Sequence, residues 1–284
     1  MRRGDNGVIV TDRIEEVRRV RWGEPELSWG LAPTMGYLHE GHLSLVRRAQ
    51  MENDRVAVSI YVNPTQFAPG EDLDAYPRNL ERDLDLLQRE NVNLVFTPGD
   101  EMMYPPGFQT EVIVREVANV LEGASRPDHF KGVATVVAKL FNIVQPSRAY
   151  FGQKDAQQTV VLRQMVRDLS FNLELVICPT VREPDGLAMS SRNAYLSPAE
   201  RTAATVLYRA LSKARAAYEQ GERQGDVLRR IMAETITAER LARLDYVSAA
   251  DLHTLAEVVS IGDNVLLSAA VFFGKTRLID NMLL

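Results

Sequence analysis

The chain has 284 residues, 45% hydrophobic and 25% charged, with a formal net charge of -5. That length can bury a core without disulfides or structural metal, and the single cysteine, Cys178, excludes an internal disulfide and has no zinc-site spacing around it. The acidic balance argues against a nucleic-acid partner. No apolar run reaches the roughly 18 residues of a membrane span. The N-terminus MRRGDNGVIVTDRIEEV has no signal-peptide apolar region, so a cytoplasmic location is expected.

In chain order, DRIEEVRRVR (12–21) reads as a short amphipathic helix, WGLAP as a short strand and 42–51 as a helix. VAVSIYV (56–62) is a β-branched apolar run, the pattern of a buried strand. Leu80, Leu84 and Leu87 follow helical spacing, NLVFTP is a strand, and TEVIVRE (110–116) is predicted as another. Residues 133–144 are helical with Pro146 as the stop. AYFG is a strand, 156–169 a helix and LELVICPTV a strand. Strand and helix alternate, and several strands are apolar on both faces. This predicts an α/β fold, a parallel sheet with helices on both faces.

The pattern changes near residue 182. REPDGLAMSSRN is a polar loop, and Ser197 to Glu200 form a capping box with proline at the first helical position. A long helix to about Gln220 follows, then a helix from Asp226. DYVSAAD, NVLLSAAVFF and TRLIDN read as strands. The expected domains are 1–181, and 182–284 as a smaller C-terminal α+β domain carrying the MSSR loop.

Four stretches carry chemistry. In HEGH, His39 and His42 are three apart, whereas zinc helices of the HExxH kind need four. The pair reads as a metal site, as packing at a helix start, or as a device for handling phosphate. In the last reading Gly41 admits a ligand to the backbone and the helix start offers N–H groups to an anion. Met189-Ser190-Ser191-Arg192-Asn193 is either an interdomain linker or a mobile loop bringing hydroxyls and a guanidinium over a triphosphate. Gly152-Gln153-Lys154-Asp155 puts a lysine after a strand, where it is a surface charge or a phosphate ligand. Asn63-Pro64-Thr65-Gln66-Phe67 and Gln157-Gln158 offer neutral amides, which in a cleft bind a carboxylate and leave it nucleophilic. HEGH, NPTQF and GQKD all follow strands at the carboxyl end, where such sheets bind ligands, and their placement fits one shared cleft. There is no G-x-G-x-x-G. Gly274-Lys275-Thr276 lacks a P-loop's upstream glycine (position 269 is Ala) and reads as a β-turn.

An HxGH motif upstream and an MSSR-type loop downstream resemble the HxGH nucleotidylyltransferase superfamily. PTMGYLHEGH, VSIYVNPTQF, EDLDAYPR, EGASRPDHFKGV, FGQKDAQQ and DGLAMSSRN together resemble the pantothenate synthetase (pantoate–β-alanine ligase) family. The match runs from about residue 31 to 196, and TRLIDN resembles the family's end. The resemblance implies a Rossmann-like nucleotide- and pantoate-binding domain. It also implies condensation of (R)-pantoate with β-alanine through a pantoyl adenylate, with ATP as substrate, Mg²⁺ as cofactor and a homodimer.

Carried over by position, Met35, Gly36, Tyr37, Leu38, His39, Glu40, Gly41 and His42 would line the ATP site, with His42 as proton donor. Gly152, Gln153, Lys154, Asp155, Val181, Met189, Ser190, Ser191 and Arg192 would also contact ATP. His39, His42, Lys154 and Arg192 would be the catalytic set, and Gln66, Gln158 and Asn63 would meet the substrates. The chain departs from the family at Tyr37, usually small or Asn, and at Gln153, usually Glu. Arg82-Asp83 stands where some members have an acidic pair near the metal, so no Mg²⁺ ligands are assigned.

The first step needs no base, because a carboxylic acid of pKa roughly 4 is already ionised. The second needs a neutral amine, and water and a histidine both remain candidates for the deprotonating group. The rival readings are a simple nucleotidylyltransferase and a non-catalytic nucleotide-binding protein.

Overall fold

The computed structural model describes residues 2–3 and 7–284. The chain divides into two compact units, one made of residues up to 152 with 161–178, the other of 153–160 with 179–284.

The first unit is built on strands β1 (Arg2–Arg3), β2 (Ile9–Thr11), β3 (Trp29–Thr34), β4 (Arg55–Ile60), β5 (Leu94–Phe96), β6 (Arg148–Gly152) and β7 (Glu174–Cys178). They form one sheet in the order β1-β2-β5-β4-β3-β6-β7. Every pairing is parallel except β1 with β2. Between them run helices α1 (Ile14–Gly23), α2 (Glu40–Glu52), α3 (Leu80–Arg89), α4 (Asp100–Met103), α5 (Glu122–Ser125) and α6 (His129–Val144), and the part of α7 (Ala156–Asp168) from residue 161 on. This is the α/β, Rossmann-like architecture expected.

Apolar runs on both faces of the strands explain it. Val56 and Val58 of β4 pack with Leu43 and Val46 of α2 and with Leu87 of α3. The intervening Ala57 of β4, with Leu31 of β3 and Leu94 of β5, is equally buried, and successive strand residues point to opposite faces. Cys178 lies in the first of these layers as a buried hydrophobe.

The strand expected over 110–116 does not form. The segment enters no ladder. Ile113 is 64% exposed, and the Val112 N–H donates to the Thr135 hydroxyl of α6, 3.0 Å away, instead of to a strand. Its β-branched residues fit a strand, but no described sheet edge of the unit accepts it.

The second unit holds α8 (Pro198–Ala203), α9 (Val206–Glu219) and α10 (Gly225–Thr237) with strands β8 (Ala242–Asp251), β9 (Val265–Phe273) and β10 (Thr276–Leu283). The strands form an antiparallel sheet, β10-β9-β8. Ser197 and Glu200 make the expected capping box. The single helix expected to Gln220 is two helices, broken at Ala204–Thr205. Leu207 and Leu211 of α9, Leu228 and Met232 of α10, and Leu267 and Val271 of β9 share its core. Gly274 and Lys275 turn β9 into β10, with Gly274 at φ 58°, so the GKT stretch is a β-turn.

Candidate active site

β3 and β4 are sheet neighbours, and their carboxyl ends release Met35–His42 and Asn63–Phe67. After Thr34 the backbone makes a turn that few residues adopt. Gly36 and Tyr37 have φ of 83° and 49°. A Cβ on Gly36 would lie 3.0 Å from Ile60 and 3.1 Å from Asp83, so glycine is needed there for both angle and space. Tyr37 has no such licence.

Asp83 holds the turn. It is 1% exposed, and its carboxylate accepts the N–H of Tyr37 at 2.7 Å and of Leu38 at 2.8 Å. Burial pushes its pKa up, while those two N–H groups and Arg82 oppose the shift. Arg82 lies 3.5 Å from Asp83 and its guanidinium stacks over the Tyr37 ring, 5.4 Å from the centroid. The Tyr37 ring, Arg82 and Asp83 therefore meet at one turn.

His39 caps α2. Its Nδ1 accepts the Gly41 N–H at 3.1 Å, and the His39 N–H is donated to His42 Nδ1 at 3.3 Å. The two rings sit 4.1 Å apart, tilted by 35°. A neutral imidazole with Nδ1 accepting carries its proton on Nε2. Each ring is thereby set to donate from Nε2, beside the N-terminus of α2. Glu40 pairs with Arg47 along the helix.

The Asn63–Phe67 stretch is a 3₁₀ turn over Pro64–Gln66. Asn63, expected to meet substrate, is 1% exposed. Its amide donates to Gln66 Oε1 and to the Gly132 carbonyl, each at 3.2 Å. Its oxygen accepts from the Thr65 N–H, the Thr65 hydroxyl and the Tyr104 hydroxyl. These bonds tie Asn63 to Thr65, Tyr104 and Gly132, and one of them fixes the Gln66 side chain. Gln66 Nε2 lies 3.0 Å from the Met35 sulfur.

Behind Gln66 stands a cluster that sequence reasoning passed over. His129 Nδ1 is 2.8 Å from the Gln66 carbonyl and its Nε2 is 3.2 Å from Arg126 Nη1. Arg126 binds both Glu71 oxygens, at 2.7 and 2.6 Å. Burial and the Arg126 charge lower the His129 pKa to about 4. The sequence signals were the EDLDAYPR stretch, which begins at Glu71, and the EGASRPDHFKGV stretch, which carries Arg126 and His129.

The second unit carries the other motif residues. Asn281 clamps the Gln153–Asp155 turn, donating to the Gln153 and Lys154 carbonyls at 2.9 and 2.8 Å. Gln153 Nε2 donates to Asn281 Oδ1 at 3.1 Å, a bond an ionised glutamate does not make. Lys154 Nζ lies 3.6 Å from Asp155. The buried Asp280 beside Asn281 takes a bidentate bond from Arg182, at 2.6 and 2.9 Å. Gln158 is half-buried in the first turn of α7 and Gln157 is buried. The Met189 N–H donates to the Val181 carbonyl at 3.0 Å, which closes a hairpin. Ser190 then caps the 3₁₀ turn Ser191–Tyr195 by accepting the Arg192 N–H at 3.2 Å. The MSSR stretch is thus tied at its backbone, with Ser191 buried.

The family model for pantoate-beta-alanine ligase matches residues 9–283. The chain is 62% identical to a pantothenate synthetase of Roseiflexus sp. (strain RS-1) over 277 residues, 98% of this chain and 99% of that protein. It is 60% identical to that of Chloroflexus aggregans over 276 residues, 97% and 99% of the two chains. The crystal structure of pantothenate synthetase from Thermus thermophilus has a TM-score of 0.93 at 49% identity, covering 97% of this chain and 99% of that one. That of pantoate-beta-alanine ligase from Francisella tularensis, complexed with beta-gamma ATP and beta-alanine, has a TM-score of 0.81 at 35% identity, covering 97% of each chain.

Proposed function

The chain belongs to the pantoate-β-alanine ligase family, and from that premise we propose the roles of its residues in the reaction. It is an enzyme, an ATP-dependent ligase that condenses (R)-pantoate with β-alanine. The pantoate carboxylate attacks the α-phosphorus of ATP and pyrophosphate leaves. The β-alanine amine then attacks the acyl carbon of pantoyl adenylate and AMP leaves.

The observation that carries the residue assignment is the reciprocal capping of His39 and His42. Backbone bonds fix both rings with Nε2 as donor, so they meet the α-phosphate as negative charge builds there. His42 donates a hydrogen bond from Nε2 to that group, and the α2 N–H groups add to the field. Lys154 and Arg192 stabilise the departing pyrophosphate. Met35 to Gly41, Gly152 to Asp155, Val181 and Met189 to Ser191 line the nucleotide. Gln66 and Gln158 bind pantoate through neutral amides, and Asn63 acts through Gln66.

Mg²⁺ enters as the counter-ion of the ATP triphosphate. Among the described residues no group of three His, Cys, Asp or Glu is arranged to hold a metal, and the Asp83 carboxylate is taken by two backbone N–H groups. Mg²⁺ commonly keeps water and substrate oxygens as ligands. We assign the enzyme to the cytoplasm as a homodimer. Among the described residues, no helix is long and apolar enough to cross a membrane.

The test is pyrophosphate and AMP release from ATP, Mg²⁺ and D-pantoate, with and without β-alanine. A stoichiometric pyrophosphate burst without the amine, then sustained AMP formation with it, is the expected result. Steady pyrophosphate release independent of the amine would overturn the two-step reading.

A further inference from the structure

We propose that Glu71, Arg126 and His129 form a charge-balanced brace that positions Gln66 to hold the substrate carboxylate without quenching it. The inference rests on the reading above, in which Gln66 meets pantoate. The three are positioning residues, because they act through Gln66.

Hydrogen-bond accounting fixes the protons. Arg126 has only donors, so His129 Nε2, 3.2 Å from Arg126 Nη1, must accept. The neutral ring then carries its proton on Nδ1 and donates it to the Gln66 carbonyl at 2.8 Å. Arg126 Nη2 reaches the same carbonyl at 3.3 Å. Gln66 is held at both ends: Asn63 donates to its side-chain oxygen, and His129 and Arg126 donate to its backbone carbonyl. Behind the turn, Gly132 of α6 leaves no slack. A Cβ there would lie 2.3 Å from the Thr65 carbonyl oxygen.

The charges cancel within the brace. Burial pushes the Glu71 carboxyl up, but the Arg126 hydrogen bonds and charge outweigh it, and Glu71 stays ionised. Both its oxygens meet Arg126, at 2.7 and 2.6 Å. A bare guanidinium beside Gln66 would attract the pantoate carboxylate and stabilise it in the ground state. That binding tightens the substrate complex and slows attack on phosphorus. Pairing with Glu71 removes that attraction and leaves Arg126 as a rigid donor. Locally the brace is built at some cost, since Asp128, which leads into His129, sits at φ 67°. A left-handed non-glycine residue persists where the surrounding structure enforces it.

The experiment measures initial pyrophosphate release in H129F, H129N and E71Q, with KM for pantoate and for MgATP and a thermal melt for each. H129F keeps the ring's bulk and loses the donor, so KM for pantoate should rise about tenfold. KM for MgATP should stay within about twofold. H129N restores an N–H near the Nδ1 position and should return to within about threefold of the native chain. E71Q should lower kcat about tenfold while KM for pantoate is unchanged or falls. The brace is overturned if H129F and H129N are equally impaired, or if both KM values rise together. It is also overturned if E71Q raises KM for pantoate in step with its loss of kcat. Absence of pyrophosphate release by the native chain from ATP and pantoate would instead refute the function on which the inference rests.

Discussion

Asp83→Asn tests whether one buried carboxylate holds the phosphate-handling turn in shape. Asp83 accepts two backbone N–H bonds, at 2.7 and 2.8 Å, from Tyr37 and Leu38. An asparagine amide can accept one of them through its oxygen. Its NH₂ then faces the other N–H, donor against donor, in a site 1% exposed. The loss is one charge-assisted hydrogen bond together with a buried donor left unmatched, about 2–4 kcal/mol. For a unit of this size that corresponds to a fall in melting temperature of roughly 5–10 °C. The turn also loses what holds Tyr37 at φ 49°, so the start of α2 should shift and pyrophosphate release should slow about a hundredfold. Thermal unfolding followed by circular dichroism and a single-turnover pyrophosphate assay read the two effects. A melting temperature within about 2 °C of the native chain, with an unchanged single-turnover rate, would refute the reasoning.

Other expectations follow from the same geometry. His42→Ala should lower the rate of adenylate formation, and Arg192→Ala should slow that step more than it weakens pantoate binding; an unchanged single-turnover rate in either variant removes that residue's role. Gly132→Ala should destabilise the chain by about 1–3 kcal/mol through overpacking against Thr65 and should raise KM for pantoate by displacing Gln66, which denaturant titration and steady-state kinetics will show. His129 is held down to about 4 by burial and Arg126, below its ordinary value of about 6.5. Its contribution to stability is therefore complete above pH 6.5 and is lost as pH falls through that window toward 4. The difference in unfolding free energy between the native chain and His129→Phe should shrink over the same range, and a flat difference would contradict a buried neutral histidine.

The sequence by itself determined the architecture of the sheet and the positions of the motifs. Val56–Ile60 of VAVSIYV lie in β4, apolar on both faces because helices cover both, with Tyr61 and Val62 beyond its end, and Ser197–Glu200 capped a helix as written. HEGH opened α2 after β3, where the sheet's carboxyl end releases it. These signals are local: periodicity, apolar runs and capping residues act over a few positions and survive folding unchanged. TEVIVRE carries the same kind of signal but forms no strand, because strand formation needs a partner edge and no local pattern supplies one.

Tertiary structure alone decided which polar groups are spent on scaffolding. Asn63 is buried, with its amide donating to Gln66 and to the Gly132 carbonyl. Asp83 reaches the HEGH turn from 45 and 46 residues away, Arg126 reaches Glu71 across 55 and Asn281 clamps Gln153 and Lys154 across 128 and 127. A buried polar group must find a partner wherever the fold brings one within reach. That choice is made by packing across the whole unit, so the residues that hold a site in shape leave little trace in the sequence around it.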